Sequence, residues 1–92
     1  MSALVFEDTT YRWDFDRNAM AFFAHDGNKR VLCFISGEAL EEGFGAVGGR
    51  RGMEAAFLAN RDRIERRARE AYRAGDVDEN GRVLLRSTDF LS

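Results

Sequence analysis

The sequence predicts an α+β fold: a small antiparallel sheet, made of a hairpin plus a C-terminal strand, packed against one long helix and one short helix. Three observations carry this expectation. Two apolar, aromatic and β-branched runs, Ala19–His25 and Arg30–Ser36, flank the turn-forming tetrapeptide Asp26-Gly27-Asn28-Lys29. Met53, Phe57, Ile64, Ala68 and Ala71 recur at helical spacing through an arginine-rich stretch. A short run, Val83-Leu84-Leu85, follows a turn rich in Asp and Gly.

The chain of 92 residues reads as one domain, 1–92, with no proline, repeat or low-complexity linker to divide it. Eight Phe and an apolar fraction of 45% exclude a disordered chain. Cys33 is the single cysteine, so an internal disulfide is excluded. The apolar runs Ala19–Ala24 and Val31–Ile35 are too short to span a bilayer, and Glu7 and Asp8 follow directly on Leu4-Val5-Phe6 with no basic leader. The expected setting is the bacterial cytoplasm, with no membrane partner. The net charge is −2, but it is unevenly spread. Residues 50–73 hold eight arginines against Glu54, Asp62, Glu65 and Glu70, whereas both flanking stretches are acidic.

A turn centred on Gly27-Asn28 pairs Ala24 with Val31 and Phe22 with Cys33. One hairpin face then carries Met20, Phe22, Ala24, Val31, Cys33 and Ile35; the other carries Ala21, Phe23, Leu32 and Phe34. Both faces are apolar, where a half-wet hairpin would alternate apolar with polar. Leu4-Val5-Phe6, the Tyr11–Phe15 segment or a second copy of the protein must cover the second face. Ser36 is placed to cap a short helix that ends near Glu42 with Ala39 and Leu40 inward. A glycine-rich loop spans Gly43–Gly52, and the main helix follows from Met53 to Ala74 with Gly75 as its left-handed terminator. The last strand covers Arg82–Arg86.

Gly43-Phe44-Gly45-Ala46-Val47-Gly48 matches G-x-G-x-x-G in spelling, but it follows a helix where a dinucleotide motif must follow a strand. It is read as an inter-helix loop. Asp76-x-Asp78-x-Asn80-Gly81 opens like a calcium loop, but Ser87 stands where the bidentate Glu belongs, so an Asx-rich turn is expected. His25 and Cys33 fall on opposite hairpin faces, which rules out a shared metal or a Cys–His pair. No catalytic residue, cofactor or metal ligand is therefore assigned.

The arginines of the long helix read as a solvated face, with Arg63, Arg66 and Arg73 outward and Arg66 and Arg69 four residues from Asp62 and Glu65. Asn60 falls near the centre of the apolar stripe, with Arg61 at its edge, and the expected role is a hydrogen bond locking helix to sheet.

In order along the chain stand Trp13-Asp14, the two apolar strands, Cys33-x-Ile35-Ser36-x-Glu38-x-Leu40, then Phe57-x-x-x-Arg61-x-x-Ile64-Glu65-x-x-Ala68 and Val83. This order resembles the small bacterial YrdB-like proteins, the domain of unknown function numbered 1488. The resemblance runs from about Trp13 to Leu85 and is most specific at Ile35-Ser36-x-Glu38-x-Leu40. It implies a compact α+β fold and brings no activity, substrate or catalytic residue.

The expected function is a non-enzymatic protein-interaction module that self-associates through an apolar sheet face or meets another protein. The candidate interaction residues are Asn60, Arg61, Arg50, Arg51, Phe23 and Phe34. The alternative is a nucleic-acid-associated accessory protein acting through the arginine-rich helix together with Arg50 and Arg51. A small-ligand binder or enzyme around Asn60, Arg61 and Ser36 is the third reading.

Overall fold

The computed structural model describes residues 3–7 and 9–90. Its elements are β1 (Tyr11–Asp14), β2 (Ala19–Asp26), β3 (Lys29–Ser36), α1 (Gly37–Phe44), α2 (Gly49–Ala59), α3 (Arg61–Arg73), β4 (Val83–Leu85) and a closing 3-10 turn, Ser87–Phe90. The class is α+β, as expected. The β2–β3 register also follows the turn chemistry, with Ala24 opposite Val31 and Phe22 opposite Cys33. Gly27 supplies the positive φ of that turn, at 63°.

The sheet is mixed, where an antiparallel one was expected. Its order is β1-β2-β3-β4; β1, β2 and β3 run antiparallel, and β4 lies parallel to β3. The reason is topological. The chain leaves β3 directly into α1 and returns to the sheet only after α3, and such a crossover brings the returning strand back in the same direction. The strand at the opposite edge, β1, was expected only as a cover for the hairpin. Its side chains alternate instead, so that Tyr11 packs on Phe57 with ring centres 5.4 Å apart.

The helical layer also differs from one long and one short helix. The segment from Met53 to Ala74 is broken at Asn60 into α2 and α3. Asn60 has φ −119° and ψ 19°, outside helical values. Its side-chain amide donates to the Ala56 carbonyl at 2.8 Å, competing with its own backbone N–H, which reaches the same oxygen at 3.1 Å. Asn60 thus bonds one turn back in its own helix, and among the described residues its side chain makes no hydrogen bond to the sheet in place of the expected lock. At the other end, α2 starts at Gly49 and takes in residues that were expected as loop. A Cβ on Gly52 would lie 1.5 Å from the Val47 carbonyl oxygen, so only glycine lets that loop close onto the helix.

Ser36 caps α1 as expected, its hydroxyl accepting the Ala39 N–H at 3.0 Å, and Ala39 and Leu40 are buried. The main core lies between the helices and the sheet face bearing Met20, Phe22, Val31, Cys33 and Ile35. Phe22 and Phe57 meet at its centre, 5.3 Å between rings. Leu4 and Phe6 join this same core, while Val5 pairs with His25 beside β2, so the N-terminal segment borders the second hairpin face and contributes nothing to the cluster on it. No helix among the described residues is long and apolar enough to cross a membrane.

Candidate functional site

Strand alternation sets the second, outer face of the sheet. Arg12, Ala21, Phe34 and Leu84 line up in one row across all four strands. Phe23 opposite Leu32 makes a second row on the same face, and Asp14, Ala19 and Ser36 a third. Ala19, Ala21 and Phe34 form a second buried cluster, with Leu32 and Leu84 partly buried against it. Every member of that cluster comes from a strand.

Arginine side chains screen this face. The Arg17 guanidinium lies over the Phe34 ring at 4.7 Å, and Arg30 lies over Phe23 at 4.1 Å. Arg17 is held by Asp14 through an ion pair of 3.2 Å. The backbone N–H of Arg17, aided by its guanidinium, keeps the Asp14 carboxyl below the usual carboxylate range. The guanidinium groups of Arg12 and Arg86 make no ion pair among the described residues. Between Arg17 and Arg86 lies a trough of about 230 Å³, with Ala19, Phe34 and Leu84 along it and Ser36 at its side. That is below the roughly 300 Å³ at which small-molecule pockets begin. The trough fits one group of a larger ligand.

The β1–β2 turn adds Phe15, which is 74% exposed and lies under Arg50 from the start of α2, 5.3 Å from ring centre to guanidinium. Arg51 beside it is exposed. The structure therefore brings Phe23 and Phe34 together on one face and sets Arg50 against the adjoining turn. Asn60 and Arg61 belong to the helical layer. Arg61 is engaged by Glu65 at 2.7 Å, by the Thr9 carbonyl at 3.0 Å and by the Phe57 ring at 5.1 Å.

The other helical arginines divide in the same way. Arg67 binds Asp89 at 2.8 Å, Arg69 donates to the Leu4 carbonyl at 3.3 Å, and Arg63 covers Phe44 at 5.1 Å. These contacts tie the terminal segments and α1 to α3. The basic stretch of the sequence is in good part the fastening of the helical layer, and the arginines of the outer sheet face lie outside it. Arg12, Arg17, Leu84 and Arg86 were missed by sequence reasoning. The alternation of Tyr11 and Trp13 with Arg12 and Asp14 is the signal that could have found the first of them.

Elsewhere the side chains serve the fold. Burial, with the charge of Glu65, pushes the Cys33 thiol up to about 12, which leaves it protonated and unreactive. Asp78 accepts the N–H groups of Asn80 and Arg82 at 2.9 and 2.8 Å on one oxygen and the Arg82 side chain at 2.8 Å on the other. That is the Asx turn expected from the sequence. Two glycines of the G-x-G-x-x-G spelling are helix punctuation, Gly45 ending α1 and Gly48 preceding α2, both with positive φ, and Gly43 lies within α1 against Phe90.

Comparison with known proteins agrees with this architecture. The family model described as "Protein of unknown function (DUF1488)" matches residues 4–85. The chain belongs to that family. A crystal structure of a DUF1488 protein of unknown function from Shewanella loihica PV-4 superposes with a TM-score of 0.79 at 21% identity, covering 90% of this chain and 91% of that one. At that identity it shares the DUF1488 fold and carries no residue role across. A comparison with curated proteins returned no match.

Proposed function

We propose that this DUF1488 protein is a non-catalytic interaction module of the bacterial cytoplasm that engages a macromolecular partner through the outer face of its sheet. The observation that carries the reading is the second buried cluster of Ala19, Ala21 and Phe34. It is built from strands alone and closed by arginine side chains, where the inner face has a layer of helices. A sheet face this apolar is ordinarily covered, and a partner is the natural cover.

A site-specific photo-crosslinking residue tests the proposal in living cells. Placed at Leu32 or Leu84, it should give discrete adducts; placed at Leu58 or Arg73 on the helices, it should give none. Adducts from the helix positions alone, or from no position, would overturn the reading.

A second reading is self-association through the same face, favoured by the partly buried Leu32 and Leu84 on neighbouring strands. A two-fold contact there would bring Arg12, Arg17, Arg30 and Arg86 of both copies together. This like-charge cost ranks it below a partner that carries negative charge. Sedimentation at high micromolar concentration decides it: a stable dimer supports self-association, and a monomer removes it.

A further inference from the structure

We infer that the partner of the outer sheet face is single-stranded nucleic acid, with a base placed over Phe34 and phosphates on Arg17 and Arg86. The inference rests on the preceding reading of that face as the binding face. Its starting point is a pairing that occurs twice on this face. On each of the two central strands a phenylalanine on the outer face carries a guanidinium, Arg30 over Phe23 at 4.1 Å and Arg17 over Phe34 at 4.7 Å. A guanidinium over a ring stands where a stacked base would stand. Phe23 faces Leu32, and Phe34 faces Ala21, so the two rings are diagonal cross-strand neighbours, about 7–8 Å apart between backbones. One extended nucleotide step bridges such a distance.

Arg17 is a cover that can move. It sits in the exposed β1–β2 turn, and its side chain is 40% exposed. Its ion pair with Asp14 is of the surface kind that contributes little. Displaced from Phe34, it remains at the rim of the trough, opposite Arg86, where a phosphate would meet two guanidinium groups. The trough is smaller than a usual small-molecule pocket and has room for one planar group of a longer chain.

The charge of the surroundings gives the path. Arg12, Arg17, Arg30 and Arg86 make the outer face basic in a chain whose net charge is −2. On the far side of Leu84 and Arg86, which border both, Asp76, Asp78 and Asp89 line a second hollow of about 220 Å³. From Arg86 a polyanion is directed away from those carboxylates, back across the sheet toward Arg12 and the turn that carries Phe15, over which Arg50 of α2 lies. An acidic peptide would satisfy the arginines but has no base to replace Arg17 over the ring, which is why nucleic acid is favoured.

The test is fluorescence anisotropy of dye-labelled oligo(dT) and oligo(U) with the full chain across a salt series. Binding should weaken as salt rises. Arg86→Ala should lower the slope of log affinity against log salt by about 0.7, the value for one phosphate contact on a single strand. Phe34→Leu should weaken binding about tenfold, within the range for loss of one base stack. Circular dichroism confirms that each variant is folded, and Arg66→Ala on the exposed side of α3 should leave binding unchanged. Four results would overturn the inference: no salt-dependent binding; equal loss with Arg66→Ala; equal affinity for duplex of the same length; or equal competition by polyglutamate, which would give the face to an acidic protein. Crosslinks from Leu32 or Leu84 to protein without oligonucleotide binding would defeat this inference alone and leave the interaction-module reading standing.

Discussion

On the inner face of the sheet, Phe22 lies 5.3 Å from the ring of Phe57 and 5.9 Å from that of Phe6, and all of its surface is buried. On the outer face, Phe34 is nearly as buried, but its ring is met by the guanidinium of Arg17 at 4.7 Å. The same two strands thus present two apolar faces, one closed by helices and one by charged side chains. The first arrangement stabilises through the full transfer of aromatic surface from water, about 1.5–3 kcal/mol for such a side chain. The second adds a cation–π contact of about 0.5–1 kcal/mol and rests on a cover that is itself a surface side chain. Burial alone does not separate a core from a site; the nature of the covering group does.

The inner face depends most on Phe57. Replacing it with Ala should cost about 3–5 kcal/mol in urea denaturation, because the helical layer cannot collapse into the space. Phe34→Ala should cost about half of that or less, since Arg17 and solvent can settle onto the open face. Equal losses would make the two faces equivalent as cores. The covering layer itself is attacked by Gly52→Ala, whose new Cβ meets the Val47 carbonyl and should cost about 1–3 kcal/mol and lower Tm. An unchanged Tm would show that the α1–α2 loop can give way.

The pH dependence separates the faces without mutation. The Cys33 thiol, on the inner face, is raised from 9.0 to about 12 by burial and the charge of Glu65, and the Tyr72 hydroxyl is raised above 10.0 by the hydrogen bond it donates to Asp26 at 2.6 Å. A raised acid stabilises the fold fully below its unfolded value and loses that contribution as pH climbs through the folded one. Tm should therefore fall as pH rises above 9, the ordinary value of the thiol, and Cys33→Ala should flatten the first part of the fall. The thiol should also resist a thiol-specific reagent until the protein unfolds.

Asp14, on the outer face, is lowered from 3.8 by the backbone N–H and side chain of Arg17, so its contribution is present above that value and is lost as pH falls through the depressed one. The smallest expected effect is on that side. Arg17→Ala should change stability by about 1 kcal/mol or less and yet raise the binding of an apolar dye by uncovering Phe34. No rise in dye binding would show that Arg17 is not the cover of this face.

Much of the fold was legible, and particular residues show where legibility stopped. The Asp26–Lys29 turn and the alternation around it set the hairpin pairing within a few residues. The outer-face residues Phe23 and Phe34 followed from the same alternation. Asn60 is placed by its spacing inside one continuous helix with a partner on the sheet, because a side-chain amide that finds the Ala56 carbonyl and breaks the helix there leaves no pattern in the spacing. Arg12, Arg17 and Arg86 could not be placed until β1 and β4 had been paired with the hairpin. Arg61 was read as an interaction residue, and its bonds to Glu65 and the Thr9 carbonyl give it a place in the fold first.

The amino-acid sequence by itself determined what short-range hydrogen bonding and torsional preference decide: the hairpin and its register, the Ser36 cap, the left-handed Gly75 after α3 and the Asx turn at Asp78. These depend on groups no more than a few bonds or one turn apart. Tertiary structure alone decided that β4 runs parallel to β3, that Tyr11–Asp14 becomes an edge strand and that the Phe22 face, of the two apolar faces, meets the helices. Those outcomes compare the burial of whole layers, so no local window contains the information. The outer face proposed as the binding face is what remains once that choice has been made.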